Sequence, residues 1–476
     1  MKKCFRMFLI ISLLIVSLSL SFTLAKTNTK IANSESESKT RDEGEVYSLT
    51  FNQLGGSDVM PIGVWWGPYY HGVGSMNGNN LPDYLTDEYF KILLDLGVNF
   101  ITVSNDNYPV GGVKADSVMK ALELSEKYNL GYFVYDSFIK DIHNKDEMVN
   151  EIKNYINSDA CLGIHLIDEP TADKFNGFKD AYQIFEELDF KDKVLYTNLF
   201  PNYVKNCSGT KEVMMWKDYI DLFLETTNQK FLSFDHYPFS EAGEGIGSKS
   251  QFFNALFEAK EVADKHKVPM WVFIQAGGQW NDSRKFDREF LPDYESEAEF
   301  LWNVNINLAF GAKAIQYFLY IQPYYYGYAK DDLYDTTHNS LLGASGKKNE
   351  WYYYAEKMNK QINAIDEVLM NSSNEGIIAI GENAKRNIID HETLSNYYEL
   401  IDVDAKDVII GCFNYKGKTA LYVVSNNVDE KQTCTLKFDN KYSYSVIQRA
   451  IEKEVTMTDS INLTLEKGEG ILVVIE

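Results

Sequence analysis

The sequence predicts an α/β fold, a (β/α)8 TIM barrel followed by a C-terminal antiparallel β-sandwich. Eight apolar strand patterns alternate with helical patterns between residues 59 and 370. That alternation is typical of a parallel sheet, and eight units favour closure into a barrel. From about Gly376 the pattern changes to short alternating segments separated by turns, which predicts an antiparallel sandwich. The 476 residues accommodate a barrel of about 250 residues and a second domain.

The predicted elements follow one another in a regular rhythm. The strands cover residues 59–68, 99–104, 131–135, 161–170, 194–198, 231–234, 270–274 and 314–319. The helices cover residues 87–96, 117–128, 145–157, 174–188, 213–226, 249–266, 295–310 and 350–370. The last helix closes the ring, and we expect its aromatic residues at 351–354 to carry the sandwich. The sandwich strands are predicted at 407–415, 419–426, 433–438, 444–449 and 470–475.

The N-terminus has the composition of a targeting segment. Lys2, Lys3 and Arg6 precede an apolar run that ends near Ala25, which predicts a signal peptide over residues 1–25. The length of the run leaves an uncleaved anchor open. Residues 26–50 lack apolar periodicity and are expected to form a disordered leader, before a barrel at 51–372 and a sandwich at 373–476. These features predict a secreted or cell-surface protein with no transmembrane domain after cleavage.

Composition limits the partners. A net charge of −23 argues against nucleic acid, because phosphate binding needs a basic face. An aromatic content of 14% is typical of surfaces that stack on sugars, although such side chains also fill cores. Export would permit disulfides, and Cys412 and Cys434, on adjacent predicted strands, are the pair expected if one forms. No Cys or His spacing matches a metal site, so neither a metal nor a cofactor is predicted.

Residues 161–170 are the most informative stretch. An apolar strand there ends in Asp168 and Glu169, and Pro170 prevents its continuation. In a barrel, such a strand end faces the catalytic mouth. The alternatives are a helix cap and a structural ion pair.

The other strand ends carry side chains suited to binding a sugar. Carboxylates and amides bind hydroxyl groups, aromatic faces cover C–H surfaces, and glycoside cleavage requires a pair of carboxyl groups. Each residue also has a structural alternative: Asp235 as a turn cap, the asparagines as loop ligands, and the tryptophans as rim packing. The candidates at these ends are Trp65, Trp66, Asn105, Asp136, Asn198, Asp235, Tyr237, Gln275, Trp280 and Tyr320.

Two short motifs resemble those of the clan A glycoside hydrolases, secreted barrels of the β-galactosidase and cellulase type. The run from Asp168 to Pro170 is similar to the Asn-Glu-Pro of strand four. The resemblance implies that Glu169 is the acid/base and that Asp168 contacts the sugar 2-hydroxyl. The segment from Asp235 to Pro238 resembles strand six, whose Tyr borders the nucleophile, so Tyr237 takes that role. The resemblance covers residues 59–476 in order and architecture.

The chain departs from this family on strand seven, where Gln275 stands near the place of the nucleophilic Glu. A carboxamide cannot form the glycosyl ester. Three alternatives remain open: Asp235 supplies the second carboxylate, the substrate supplies an acetamido group assisted by Asp168 or Asp235, or the protein binds glycans without turnover.

We therefore predict a secreted glycoside hydrolase acting on an oligo- or polysaccharide. Glu169 is its general acid and Asp235 the partner. The sugar, the linkage, the stereochemistry and the oligomeric state stay open. The expected substrate-binding residues are Asp168, Asn198, Tyr237, Gln275, Trp65, Trp66, Asn105, Trp280 and Tyr320.

Overall fold

Eight parallel strands form the barrel. The computed structural model describes residues 41–68, 83–102, 115–190, 192–239, 249–276, 296–321, 340–343, 346–388 and 390–476. The sheet order places each strand beside its neighbour in sequence, and Leu199 closes the ring by bridging to Phe234, its N–H donating to the Ser233 carbonyl oxygen at 3.0 Å. The strands are β1 (Ile62–Trp65), β2 (Phe100–Thr102), β3 (Gly131–Tyr135), β4 (Cys161–Asp168), β5 (Val194–Asn198), β6 (Leu232–Phe234), β7 (Met270–Gln275) and β8 (Ala314–Phe318).

Amphipathic helices cover the outside of this sheet. In the first of them, Phe90, Leu93 and Leu96 recur at helical spacing and are buried, and Gly97 ends the helix in a left-handed conformation. The helices are α1 (Asp87–Leu96), α2 (Ala115–Tyr128), α3 (Lys145–Ile152), α4 (Phe175–Glu187), α5 (Trp216–Thr227), α6 (Lys249–His266), α7 (Glu297–Ala309), α8 (Glu350–Ile362) and α9 (Asp366–Met370). Among the described residues, no helix combines the length and apolarity needed to cross a bilayer.

The barrel interior is filled by aromatic side chains. The rings of Phe100, Phe133 and Trp271 pack edge to face or tilted, with centroids 5.4–6.2 Å apart. Gly63 on β1 makes room for them, because a Cβ there would lie 2.2 Å from the Phe100 ring. The barrel is therefore packed to its centre, and the carboxyl groups that end its strands lie at its mouth.

The C-terminal domain is an antiparallel sheet whose central strands are buried on both faces. Ile409, Phe413 and Tyr422 pack with the barrel core, while Val408 and Ile410 belong to a second, internal core. Because both faces are covered, β12 and β15 are buried along almost their whole length and lose the predicted alternation. Its elements are β9 (Ser372–Ile380), α10 (Glu382–Asn387), β10 (Leu400–Ala405), β11 (Val408–Tyr415), β12 (Lys418–Ser425), β13 (Gln432–Gln448), β14 (Ile451–Leu465) and β15 (Gly470–Ile475).

The sheet docks mainly on α7, although the end of the predicted closing helix also contacts it, where Glu367 accepts from the Tyr415 hydroxyl at 2.7 Å. Trp302 Nε1 on α7 donates to Asn426 Oδ1 at 2.9 Å. Asn305, also on α7, donates to the Gly468 carbonyl oxygen at 2.8 Å and accepts from the Tyr422 hydroxyl at 2.7 Å. The closing helix is instead split into α8 and α9, and Tyr352 on α8 packs on α1 with its hydroxyl bonded to the Ile92 carbonyl oxygen.

The cysteines do not form the disulfide that export would have allowed. Cys412 and Cys434 lie in the internal core of the sheet and are not joined in a disulfide, and neither are the buried Cys161 and Cys207. Burial raises the pKa of the Cys161 thiol to about 11, so it stays protonated and behaves as a small apolar side chain.

Candidate active site

Glu169 stands where β4 leaves the sheet. Its backbone is in the left-handed region, with φ 46°, and its N–H donates to the Asn198 carbonyl oxygen at 3.0 Å. The next residue is fixed as well, because the Pro170 carbonyl oxygen accepts from the Tyr219 hydroxyl at 2.7 Å. The turn therefore presents a half-buried carboxyl group at the mouth on a backbone held from both sides.

Asn198, at the end of β5, bridges two carboxyl groups. Its Nδ2 donates to Asp168 Oδ1 at 3.2 Å and to Asp235 Oδ1 at 3.1 Å. Its Oδ1 accepts from the Ser233 hydroxyl at 2.9 Å. Both amide hydrogens are thus engaged with protein carboxyl groups. Asn198 lies in the predicted site, but its contacts are those of a residue that holds the carboxyl groups in place.

The carboxyl groups of Glu169 and Asp235 lie close enough for each to shift the pKa of the other. Two carboxyl groups this close together and away from water do not both carry a charge. Burial raises the pKa of Glu169 strongly, and the neighbouring carboxyl groups of Asp235 and Asp168 raise it further. Burial also raises the pKa of Asp235, but hydrogen bonds from Asn198 and Tyr237 oppose that shift. The proton therefore rests on Glu169 and the charge on Asp235.

Tyr237 lies where the sequence predicts it, beside the partner carboxyl group. Its hydroxyl lowers the pKa of the Asp235 carboxyl group. Its ring is buried against Phe318 of β8, with centroids 5.3 Å apart. Tyr237 therefore supports the negative charge on Asp235.

Gln275 is committed to the protein backbone. Its Oε1 accepts from the Phe239 N–H at 3.1 Å, and its Nε2 donates to the Phe239 carbonyl oxygen at 2.8 Å. The side chain is 2% exposed. The Gln275 amide therefore holds the segment after β6, which contains Phe239, against the end of β7. A Glu could not form this pair, because an ionised carboxylate has no hydrogen to donate.

Two of the predicted stacking residues are buried away from the mouth, and a third lies at the mouth but is nearly buried. Trp65 packs inside the barrel, with its ring centroid 4.8 Å from that of His165 and 5.2 Å from that of Phe273. Tyr320 is fully buried, and its hydroxyl donates to the Tyr89 carbonyl oxygen at 3.0 Å. A sugar cannot reach either side chain. Trp66 lies at the mouth with 7% of its surface exposed and its ring 6.3 Å from Phe318.

Asp136, which also ends a strand, is used structurally. Its carboxylate accepts from the Tyr155 hydroxyl at 2.6 Å and from the Phe138 N–H at 3.1 Å. These contacts keep it away from the other carboxyl groups. Asn105 and Trp280 lie outside the described residues, so their predicted roles stay predictions.

Four polar residues inside the barrel were missed by the sequence reasoning. Each could have been noticed as a polar side chain within a largely apolar strand. Tyr196 and Ser233 also come two residues before Asn198 and Asp235, which the sequence had marked as candidates. Each is fully buried. They are Thr102 on β2, Tyr196 on β5, Ser233 on β6 and Gln316 on β8.

One group of side chains in the described part of the chain has the composition of a metal site. Asp221 and Glu225 on α5 and His266 on α6 bring ligand atoms within 4.8 Å of one another. The Lys265 ammonium group binds both carboxylates, at 2.7 and 3.0 Å. This lysine already balances their charge, and the group lies on helices, away from the strand ends.

Comparison with protein-family models and with curated proteins finds no match. Among solved structures, the chain is similar to a β-galactosidase from the psychrophilic Marinomonas ef1, with 10% identity, a TM-score of 0.47, and 67% of this chain and 62% of that one covered. It is also similar to α-galactosidase I from Mortierella vinacea, with 11% identity, a TM-score of 0.47, and 89% and 98% covered. A third is GH5_18 from Bifidobacterium longum, with 12% identity, a TM-score of 0.42, and 63% and 79% covered.

The chain thus spans less than two thirds of the length of the Marinomonas enzyme. A similarity of this degree assigns no activity to the chain. What the structure itself shows is a (β/α)8 barrel with a carboxyl pair at the C-terminal ends of β4 and β6 and an antiparallel domain behind it.

Proposed function

We propose that this protein is a glycoside hydrolase in which Glu169 is the general acid and Asp235 the ionised partner. The observation that carries the proposal is the close pair of buried carboxyl groups at the barrel mouth, with the pKa of Glu169 raised and Asp235 held by the Asn198 amide. Glycoside cleavage needs these two states side by side, one carboxyl group protonated and one charged.

Glu169 would protonate the glycosidic oxygen as the leaving group departs. Its raised pKa keeps the proton in place at neutral pH, where an ordinary glutamic acid is ionised. It is the more exposed member of the pair, since Asp235 is 5% exposed. A substrate that enters from the mouth therefore meets the acid first.

Asp235 would face the positive charge that develops at the anomeric carbon. Inverting enzymes hold their carboxyl groups about 6.5–9.5 Å apart to leave room for a water, whereas retaining enzymes hold them about 5–5.5 Å apart. The carboxyl groups of Glu169 and Asp235 are close enough to shift each other's pKa, which is nearer to the retaining separation than to the inverting one. The geometry therefore favours retention, through attack by Asp235 or by an acetamido group of the substrate.

The cellular setting is part of the same proposal. The apolar N-terminal run and its basic residues support export, which would place the enzyme outside the cytoplasm with an oligo- or polysaccharide as substrate. The strongly acidic chain supports an uncharged or cationic glycan rather than a polyanion.

The test is hydrolysis of a panel of 4-nitrophenyl glycosides by the full chain, followed by NMR of the first-formed sugar. We expect at least one glycoside to be cleaved with retention of the anomeric configuration. Glu169→Gln should reduce kcat by about 10²-fold or more. Glu212→Gln, which alters an exposed carboxylate on the loop after β5, is the matched control and should leave kcat unchanged.

A second candidate function, glycan binding without turnover, is favoured by Gln275. The strand-seven position holds a neutral amide that is bonded to Phe239. A glycan-array screen separates the two candidates. Tight binding together with no hydrolysis by the wild type would support the binding protein, and inverted product would contradict the mechanism proposed for Asp235.

A further inference from the structure

A chain of hydrogen bonds crosses the barrel interior and ends at the carboxyl pair. Thr102 Oγ1 donates to Gln316 Oε1 at 3.2 Å, and Gln316 Nε2 donates to the Tyr196 hydroxyl at 2.7 Å. The Tyr196 hydroxyl and the Ser233 hydroxyl are 3.2 Å apart. The residues that form these hydrogen bonds come from four strands, β2, β8, β5 and β6, and lie in a core that is mostly aromatic.

The hydrogens of this chain point in one direction. Ser233 has a single hydroxyl hydrogen, and it goes to Asn198 Oδ1 at 2.9 Å. Tyr196 must therefore donate to Ser233 while it accepts from Gln316. With its oxygen turned towards Ser233, Asn198 has its two N–H groups on the side of Asp168 and Asp235. A reversed amide would set a carbonyl oxygen against two carboxyl groups.

We propose that Tyr196 and Ser233 are positioning residues that fix the orientation of Asn198, so that both of its N–H groups face the carboxyl groups of Asp168 and Asp235. The importance of this orientation for catalysis rests on the proposed function, but its geometry does not. Hydrogen bonds in series polarise one another, so each donor further along the chain strengthens the final N–H···O contact with Asp235. The effect is large only where water is excluded, and all the members are buried.

Several other titratable groups face Asp235 and bear on its charge. The carboxyl groups from β4 disfavour the charged form, and the hydroxyl of Tyr237 on the same segment favours it. The tyrosine hydroxyls from the neighbouring elements are uncharged at neutral pH, and burial raises their pKa values further. These groups are Glu169, Asp168, Tyr237, Tyr196 and Tyr219.

The experiment is a titration of the full chain carrying ¹³C-labelled carboxyl groups, with the Asp235 and Glu169 signals assigned from Asp235→Asn and Glu169→Gln. Tyr196→Phe keeps the ring, which packs on Phe133 and Phe231 at 5.2 Å, and removes the hydroxyl. We expect it, and Ser233→Ala, to raise the midpoint for Asp235 by about one pH unit. The acid limb of kcat on a cleaved 4-nitrophenyl glycoside should move up by the same amount.

Tyr182→Phe is the matched control. It removes a buried tyrosine hydroxyl that bonds to Gln229 and to Thr197, the residue before Asn198. This hydroxyl is not part of the hydrogen-bond chain that leads to Asn198. Tyr182→Phe should lower stability without moving the titration midpoint of Asp235. Ser233→Thr, which keeps a hydroxyl group, should return the midpoint that Ser233→Ala raises to its wild-type value.

Unchanged midpoints in folded Tyr196→Phe and Ser233→Ala would overturn the inference, as would an equal shift in Tyr182→Phe. If Tyr196→Phe does not fold, Ser233→Ala and its rescue decide the matter. The titration needs no substrate. A failure of the proposed function, with no glycoside cleaved, is therefore distinguishable from a failure of this inference.

Discussion

Glu169 and Asp235, which lie 66 positions apart in the chain, bring their carboxyl groups together at the mouth of the barrel. The pairing arises because β4 and β6 flank β5 in the closed sheet, so their C-terminal ends stand on either side of Asn198. Two carboxyl groups held together away from water cannot both be charged. Four further predictions follow from this pair and from the elements that hold it.

Asp235→Asn should reduce kcat on a cleaved 4-nitrophenyl glycoside nearly as far as Glu169→Gln, by about 10²-fold or more. The amide keeps the shape of the side chain but cannot carry the negative charge that faces the anomeric carbon. It should also lower the pKa of Glu169, because a like charge is removed. Asp189→Asn, at an exposed position with a left-handed backbone that suits Asn, is the control. Activity near that of the wild type would exclude Asp235 as the partner.

Glu169→Gln should raise thermal stability at pH 8 more than at pH 4. The pKa of Glu169 is raised in the folded state, so between its unfolded value of about 4.3 and its folded value the folded protein binds more protons than the unfolded chain. Stability from this group is therefore greatest at low pH and falls as pH rises through that window. Replacing the carboxyl group with an amide removes this fall in stability with rising pH. Melting curves of the wild type and of Glu169→Gln across pH 4–8 measure the difference, and parallel curves would contradict a raised pKa of Glu169.

Gln275→Glu should lower stability and should not raise hydrolysis. The substitution replaces the Nε2 donor to the Phe239 carbonyl oxygen with a carboxylate oxygen, which leaves two acceptors facing each other. The cost of such a buried mismatch is roughly 1–3 kcal/mol. Gln275→Met, which removes the donor without adding a charge, is the comparison. A clear gain in hydrolysis by Gln275→Glu would instead identify the natural protein as a disarmed retaining glycosidase.

Asn305→Ala should loosen the contact between the barrel and the C-terminal sheet. It leaves the Gly468 carbonyl oxygen and the Tyr422 hydroxyl without their partner, at a cost of roughly 2–4 kcal/mol. The melting temperature should fall, while the pH dependence of kcat should not change. Tyr422→Phe gives the matched single change, and the double variant measures the coupling. Proteolytic release of residues 372–476 from the wild type as a stable domain would contradict this interface.

The sequence by itself determined the periodic elements. Apolar side chains at strand and helix spacing predict eight β/α units and a change to antiparallel strands near Gly376, and the barrel and the sheet are both present. It also singled out Glu169 and Asp235, because charged side chains directly after buried strands are conspicuous in the pattern. These features depend on local spacing, which a single chain displays.

The tertiary structure decided which of the marked residues meet. Trp65 and Tyr320 follow or end strands as the other candidates do, yet both are buried, because strand tilt and backbone direction rather than sequence position set where a side chain points. Asn198 and Gln275 looked like ligands for a sugar, but each finds its partners on a neighbouring strand or loop. Hydrogen bonds between distant segments depend on which strand ends the closed barrel brings together. No local pattern in the sequence shows which of those side chains bond to each other.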